Sequence, residues 1–267
     1  MSIRRRLYRM VHALACIALT LAMPQRGSSE DFLVGNKPWA NFERLLKEKG
    51  VPPDTASLVK AVSRHEDPAV RSWAAIVLGM RGEKEALDVL RKVAQTDTES
   101  LVREEAWMAA GKLGDMNALG PLEEILKRTA ELDRQITLAA RLAELEDPAG
   151  YPYVEQAATS TQTQVRSLSA MAFASFVPLY EKGRISKDPL SYLALLVKDQ
   201  DAQVRSNALI YLQVAVAKGS NAGRVAELLR NVAEEDPDPA IRQQAQRQRV
   251  ALEALVNRSH DKKNNGQ

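Results

Sequence analysis

Thiols are almost absent from this chain. Its 267 residues hold one cysteine, Cys16, and that residue sits in an N-terminal stretch unlike the rest. A body without cysteine excludes thiol catalysis and zinc sites built on thiolates, and it tolerates an oxidising compartment without demanding one. Histidine is nearly as scarce, with His12, His65 and His260 the only three. Aromatic residues make up 5% of the chain against 45% for apolar residues as a whole. Alanine and leucine carry most of that apolar mass, which favours helix over sheet. The chain also lacks a glycine-rich phosphate loop, an H-E-x-x-H helix and a serine elbow, the patterns that would announce nucleotide, zinc-hydrolase or serine-hydrolase chemistry.

A basic body is absent too. The formal charge is +3, but Arg4, Arg5, Arg6 and Arg9 lie in residues 1–22, which contain no acid. Removing four arginines and no carboxylate leaves −1. The basic isoelectric point therefore belongs to the leader, and nothing in the remainder argues for nucleic acid. The leader has a basic start, an apolar run from Val11 to Met23 and a polar stretch after it, the order of a secretory signal peptide. That run is shorter than the ~20 residues a spanning helix needs. The expected organisation is a signal peptide over 1–22, a linker over 23–37, a folded region over 38–257 and a disordered tail over 258–267. The expected location is outside the cytoplasm, periplasmic or extracellular, in a bacterium. Membrane association is expected only if the leader stays uncleaved.

What is present is a repeat. Val70-Arg71, Val102-Arg103, Val165-Arg166, Val204-Arg205 and Ile241-Arg242 recur at helix starts, and Arg134-Gln135 stands at the third place with the pair lost. A second apolar stripe follows each. Ala86, Leu87, Leu90, Val93 and Ala94 reappear thirty-two residues on as Ala118, Leu119, Leu122, Ile125 and Leu126, and again as Gly150, Tyr151, Val154, Ala157 and Ala158. Spacing of i, i+1, i+4, i+7 and i+8 is one buried face of a helix, copied at a fixed period. Asp67-Pro68 and Asp238-Pro239 place a cap before a first-turn proline. Gly79 and Gly111, nine residues past the valine, suit close helix approach. Gly82 and Gly114, twelve past it, suit helix ends. The longer fourth and fifth units are expected to carry their extra residues in loops near 178–187 and 217–223.

This pattern resembles the HEAT repeat, in the short form known from phycobilisome lyases and their relatives, over about residues 38–257. No T-P-L-H marks an ankyrin loop, and Trp73 with Leu78-Gly79 does not fit the tetratricopeptide spacing. The resemblance implies an all-α fold, an α-solenoid winding as a right-handed superhelix of about five helix pairs. A degenerate first pair opens it and a polar closing helix caps it.

Some HEAT-like proteins are iron hydroxylases acting on deoxyhypusine, with His-Glu pairs directly after the Val-Arg position. Here that place reads Glu104-Glu105, Ser72-Trp73, Ser167-Leu168, Ser206-Asn207 and Gln243-Gln244, and the one His-Glu pair, His65-Glu66, is out of register. A metal pair held by imidazoles cannot be assembled from one histidine in the folded region. No cofactor or metal is expected, and no catalytic residue. The recurrent arginines are accompanied by acids three residues before the valine position, Asp67, Glu99, Glu131, Asp201 and Asp238, with Gln162 the exception. The acids cancel a basic field, which favours caps and ion pairs between neighbouring units over an anion-binding stripe.

In the family the Val-Arg helices line the concave side. On those helices Trp73, Ile76, Trp107, Met108, Leu168, Met171 and Ile210 form a methionine and aromatic stripe. Such a stripe suits an extended peptide or a helix of a partner protein; equally, it can be buried between repeats, and periodicity does not separate the two. The expected function is a non-catalytic protein-interaction scaffold. The alternatives are a lyase-like accessory that binds a small ligand, or a purely structural module.

Overall fold

The computed structural model describes residues 38–218 and 221–264. The leader and the linker, residues 1–37, lie outside the described residues. Among those described there are thirteen α-helices and no strand. In chain order they are α1 (Ala40–Glu48), α2 (Thr55–Arg64), α3 (Pro68–Arg81), α4 (Leu87–Thr96), α5 (Ser100–Lys112), α6 (Leu119–Arg128), α7 (Leu132–Glu144), α8 (Tyr151–Ala158), α9 (Thr163–Glu181), α10 (Pro189–Leu196), α11 (Ala202–Lys218), α12 (Ala222–Glu235) and α13 (Pro239–Asn264). The Val-Arg helices are α3, α5, α9, α11 and α13, with α7 at the divergent place. The even-numbered helices α4 to α12 carry the second stripe, so the fold is all-α and built from helix pairs, the layout of an α-solenoid.

The helices fall into two compact units that divide between Pro121 and Leu122, inside α6. In the first, α3 packs against α1, α2 and α5, and α4 packs against α2 and α5. In the second, α9 is central, touching α7, α8, α10 and α11, and α13 closes the unit against α11 and α12.

Local chemistry sets the helix limits. The Asp67 carboxylate accepts from Ala69 N at 2.9 Å, Asp188 from Leu190 N at 2.9 Å, and Asp238 from Ala240 N at 2.8 Å. In all three a proline follows at the first helical position, where its missing N–H is no loss. At the other end Gly82 and Gly114 have φ of 74° and 96°, the left-handed conformation that closes α3 and α5. Twelve residues past Arg134 the same place is filled by Glu146, with φ 61°. Inside the helices, Ala74, Leu78, Ala106, Ala110, Ala208 and Leu212 are fully buried, four and eight residues past the valine.

Two expectations about length are corrected. The extra residues of the fourth unit largely lengthen α9, which runs through Pro178. The proline leaves only the Ala174 carbonyl without its helical donor, while buried Phe176, Val177 and Leu179 hold the turn in place. Likewise Ala217 and Lys218 extend α11, and Ala222 and Gly223 begin α12. The closing helix continues through 258–264, where the sequence reads as a patternless tail. No proline or glycine interrupts it after its first residue.

Candidate functional site

The repeated arginine is the best-defined polar feature of both units. In the second unit, Arg166 on α9 directs Nε and Nη2 onto Asp199 at 2.7 and 2.9 Å. Its Nη1 donates to the Ser160 and Thr161 carbonyls at 2.8 and 3.2 Å. Arg205 on α11 repeats this one helix pair later. Its fork edge grips Asp236 at 2.8 and 3.1 Å, and its Nη1 holds the Asp199 and Gln200 carbonyls at 2.9 and 3.2 Å. Each aspartate also caps its own loop: Asp199 accepts from Asp201 N and Asp236 from Asp238 N. The result is a ladder in which Arg166 and Arg205 each tie the loop before their own helix to the loop after the next. In the first unit Arg71 grips Asp97 at 2.7 and 2.9 Å and the His65 carbonyl at 2.7 Å. Arg103 holds the Asp97 carbonyl, and the residue thirty-two past Asp97 is Thr129, which has no carboxylate.

These arginines are therefore structural ties and do not form a basic stripe. The carboxylates that meet them are not the acids three residues before the valine but Asp97, Asp199 and Asp236, five residues before it. The acids at three, such as Asp67 and Asp238, serve as helix caps. His65 occupies the five-before place in its own repeat, where its Nδ1 accepts from Asp67 N at 3.1 Å. That ring nitrogen does the work an aspartate does elsewhere. Glu104 and Glu105, at the position where a hydroxylase would hold metal, are buried on α5. Among the described residues no group of three or more His, Cys, Asp or Glu is placed to hold a metal ion.

Burial bears on the charge state of the ladder. It works to raise the Asp199 pKa, and the Arg166 hydrogen bonds and the Asp201 amide outweigh it, holding the carboxyl below its ordinary value. Asp97 is lowered by the same contest, with Arg71 and the Glu99 amide in those roles. Both stay ionised at neutral pH.

The expected partner-binding residues are spread over both units. In the first, Trp73 is 8% and Met108 2% exposed, so both lie within the packing, while Ile76 and Trp107 are half-buried. In the second, Leu168, Met171 and Ile210 are all half-buried. Leu168 and Met171 rest on the hydrophobic core, as do Tyr211 and Val214. Their register comes from two directions: the Arg166–Asp199 tie sets α9 and α11, and Ser206 on α11 exchanges two hydrogen bonds with Gln244 on α13.

An aromatic cluster braces α8, α9 and α10. Phe173 stacks on Tyr192 at 4.6 Å, and Tyr151 meets Phe176 edge-on at 5.0 Å. The Tyr151 hydroxyl donates to the Lys187 carbonyl, and burial pushes its pKa upward. A phenol so held acts as a strut, not as a proton carrier at neutral pH.

Residues 55–143 match the family described as HEAT repeats, and no curated protein matches the chain. Among solved structures, a designed armadillo repeat protein is 19% identical and covers 74% of this chain and 100% of its own, with a TM-score of 0.40. Human deoxyhypusine hydroxylase in complex with glycerol is 15% identical, covering 94% and 90%, with a TM-score of 0.37. An archaeal HEAT-like repeats protein from Thermococcus onnurineus NA1 is 13% identical, covering 91% and 97%, with a TM-score of 0.31. At these scores none of the three bears on what this chain binds or does. Helix pairs recur along the described chain, and over residues 55–143 they are similar to the HEAT repeat family.

Proposed function

We propose that this chain is a non-catalytic interaction scaffold, exported to a bacterial periplasm or cell surface, that presents a stripe of its Val-Arg helices to a protein or peptide partner. The observation that carries this is the state of Leu168, Met171 and Ile210. They are large, apolar and half-buried on consecutive repeats, on helices whose spacing the arginine ladder fixes. A rigid face with apolar side chains that are neither sealed in the core nor fully exposed suits an extended segment or an amphipathic helix. The polar groups nearby support binding more than chemistry. The ladder aspartates Asp97, Asp199 and Asp236 are each gripped by an arginine, and the folded-region histidine is used as a cap.

The test is partner capture. The tagged protein is crosslinked in its native envelope fraction and the adducts are identified by mass spectrometry, beside a Met171→Glu, Ile210→Glu variant shown to be folded by circular dichroism. One adduct caught by the wild type and lost in the variant is the expected result. The same adducts from both proteins, or none from either, means the stripe is ordinary packing and the scaffold reading fails there.

A further inference from the structure

In the second unit the arginine ladder is filled at Arg166 and Arg205, is missing on α7 where Gln135 holds the arginine place, and is half-filled at its last step. Arg242 on α13 seats its Nη1 on the Asp236 and Pro237 carbonyls at 2.6 and 3.3 Å, as Arg166 and Arg205 seat theirs on the two carbonyls before their own helices. The guanidinium is planar, so fixing Nη1 fixes the direction of the Nε–Nη2 edge. In Arg71, Arg166 and Arg205 that edge grips an aspartate with both nitrogens. Among the described residues no carboxylate meets that edge in Arg242; the Arg103 edge also lacks one, but there Trp107 and Gly111, four and eight residues on, are half-buried.

The packing beside it is open in the same way. The residues four and eight beyond the arginine lie on its side of the helix. On α9 these are Ala170 and Ala174, and on α3 they are Ala75 and Gly79; all four are buried. Gly79 shows what covers that line, because a Cβ built there would stand 2.7 Å from the Cα of Ala109 on the next Val-Arg helix. On α13 the same line reads Gln246 and Val250. Both are exposed, Val250 at 52%. On that side α13 carries Arg242 and an Arg249 paired with Glu253 at 2.6 Å, so its one charge not met by a carboxylate is positive.

We propose that this edge of α13 is a docking surface for a helix of another polypeptide, preceded by an aspartate that fills the Arg242 fork. The partner helix covers Gln246 and Val250 and continues the ladder across the boundary between chains. A second copy of this chain is a poor occupant, because Asp97, Asp199 and Asp236 already serve its own arginines. This surface is separate from the Leu168–Met171–Ile210 stripe, and the two readings stand or fall independently.

The experiment is a titration of the full chain, 15N-labelled, with a synthetic peptide of residues 232–254 as probe, which carries Asp236 ahead of a helix. The readout is the arginine Nε–Hε signals. In the free protein Arg71, Arg166 and Arg205 are expected to be protected from water exchange and Arg242 to exchange freely. The peptide should then move the Arg242 signal toward those three. An Asp236→Asn version of the peptide should bind about tenfold more weakly, and so should Arg242→Lys protein, with its thermal unfolding unchanged. Three results overturn the proposal: Arg242 already protected in the free chain, which places a group of the chain itself (Glu30 or Asp31, for instance) in the fork; no shift with up to about 1 mM peptide; or equal shifts with the Asn peptide.

Discussion

Arg166 makes four hydrogen bonds with one side chain, two to a carboxylate and two to carbonyls. Its side chain is 8% exposed and that of Asp199 10%. A buried pair of this kind adds little net stability compared with a well-packed apolar pair, but removing one partner strands the other's charge. Asp199→Asn should therefore destabilise the protein by about 3 kcal/mol in chemical denaturation. Arg242→Gln, which breaks only carbonyl contacts on a half-exposed side chain, should cost less than about 1 kcal/mol. The pH dependence follows with a definite sign. The folded pKa values of Asp97 and Asp199 lie below the ordinary aspartate value. Their stabilisation is thus fully present above about pH 4 to 5 and is lost as pH falls through the folded values. Denaturation midpoints should stay level from neutral pH to about 5 and drop below about 4. An Asp97→Asn, Asp199→Asn protein should start from a lower midpoint and show a shallower acid drop. An unchanged acid limb would mean that other carboxylates govern acid stability.

At the scale of the helix, what the sequence shows depends on whether a feature is local. The valines, the alanines behind them and the first-turn prolines are legible because each is dictated by its own helix. The ladder partners were not. The sequence offers two acids in the same loop, as in Asp199 and Asp201 or Asp236 and Asp238, and only the reach of an arginine from the preceding repeat distinguishes the tie from the cap. The signal available was the aspartate two residues before the cap, together with its replacement by His65 and Ser160 where the preceding repeat carries no arginine to receive. The length of α9 was illegible for a related reason, since Pro178 reads as a breaker unless the buried turn around it is known. Two glycine positions turn this reading into a measurement. Gly79→Ala would push a Cβ against backbone at 2.7 Å, and it should destabilise by about 1–3 kcal/mol, since α3 and α5 must separate. Glu146→Gly should do the opposite. It relieves a left-handed residue at φ 61° and loses only an exposed ion pair with Lys182, for a gain of about 0.5–1 kcal/mol. Chemical denaturation of the two variants beside wild type checks both signs.

For the whole molecule, the strongest remaining statement concerns charge. The arginines of residues 1–22 are the difference between a chain of +3 and one of −1. The ladder consumes Arg71, Arg166 and Arg205 internally, and with the leader's arginines set aside the basic character of the full sequence does not describe the rest of the chain. If the leader is a signal peptide, the protein in its native envelope begins near Met23, carries no cysteine and focuses at a distinctly lower pH than the full chain's 8.9. Intact-mass measurement and isoelectric focusing of protein isolated from that fraction should find a species shorter by about twenty-two residues. A full-length mass that still includes Cys16 would instead place an uncleaved basic leader on the scaffold. The four arginines would then be free to hold it at an anionic membrane surface, where about 1 kcal/mol per arginine is available. That outcome would move the two proposed faces, the α9–α11 stripe and the open edge of α13, to partners that also reside at the membrane.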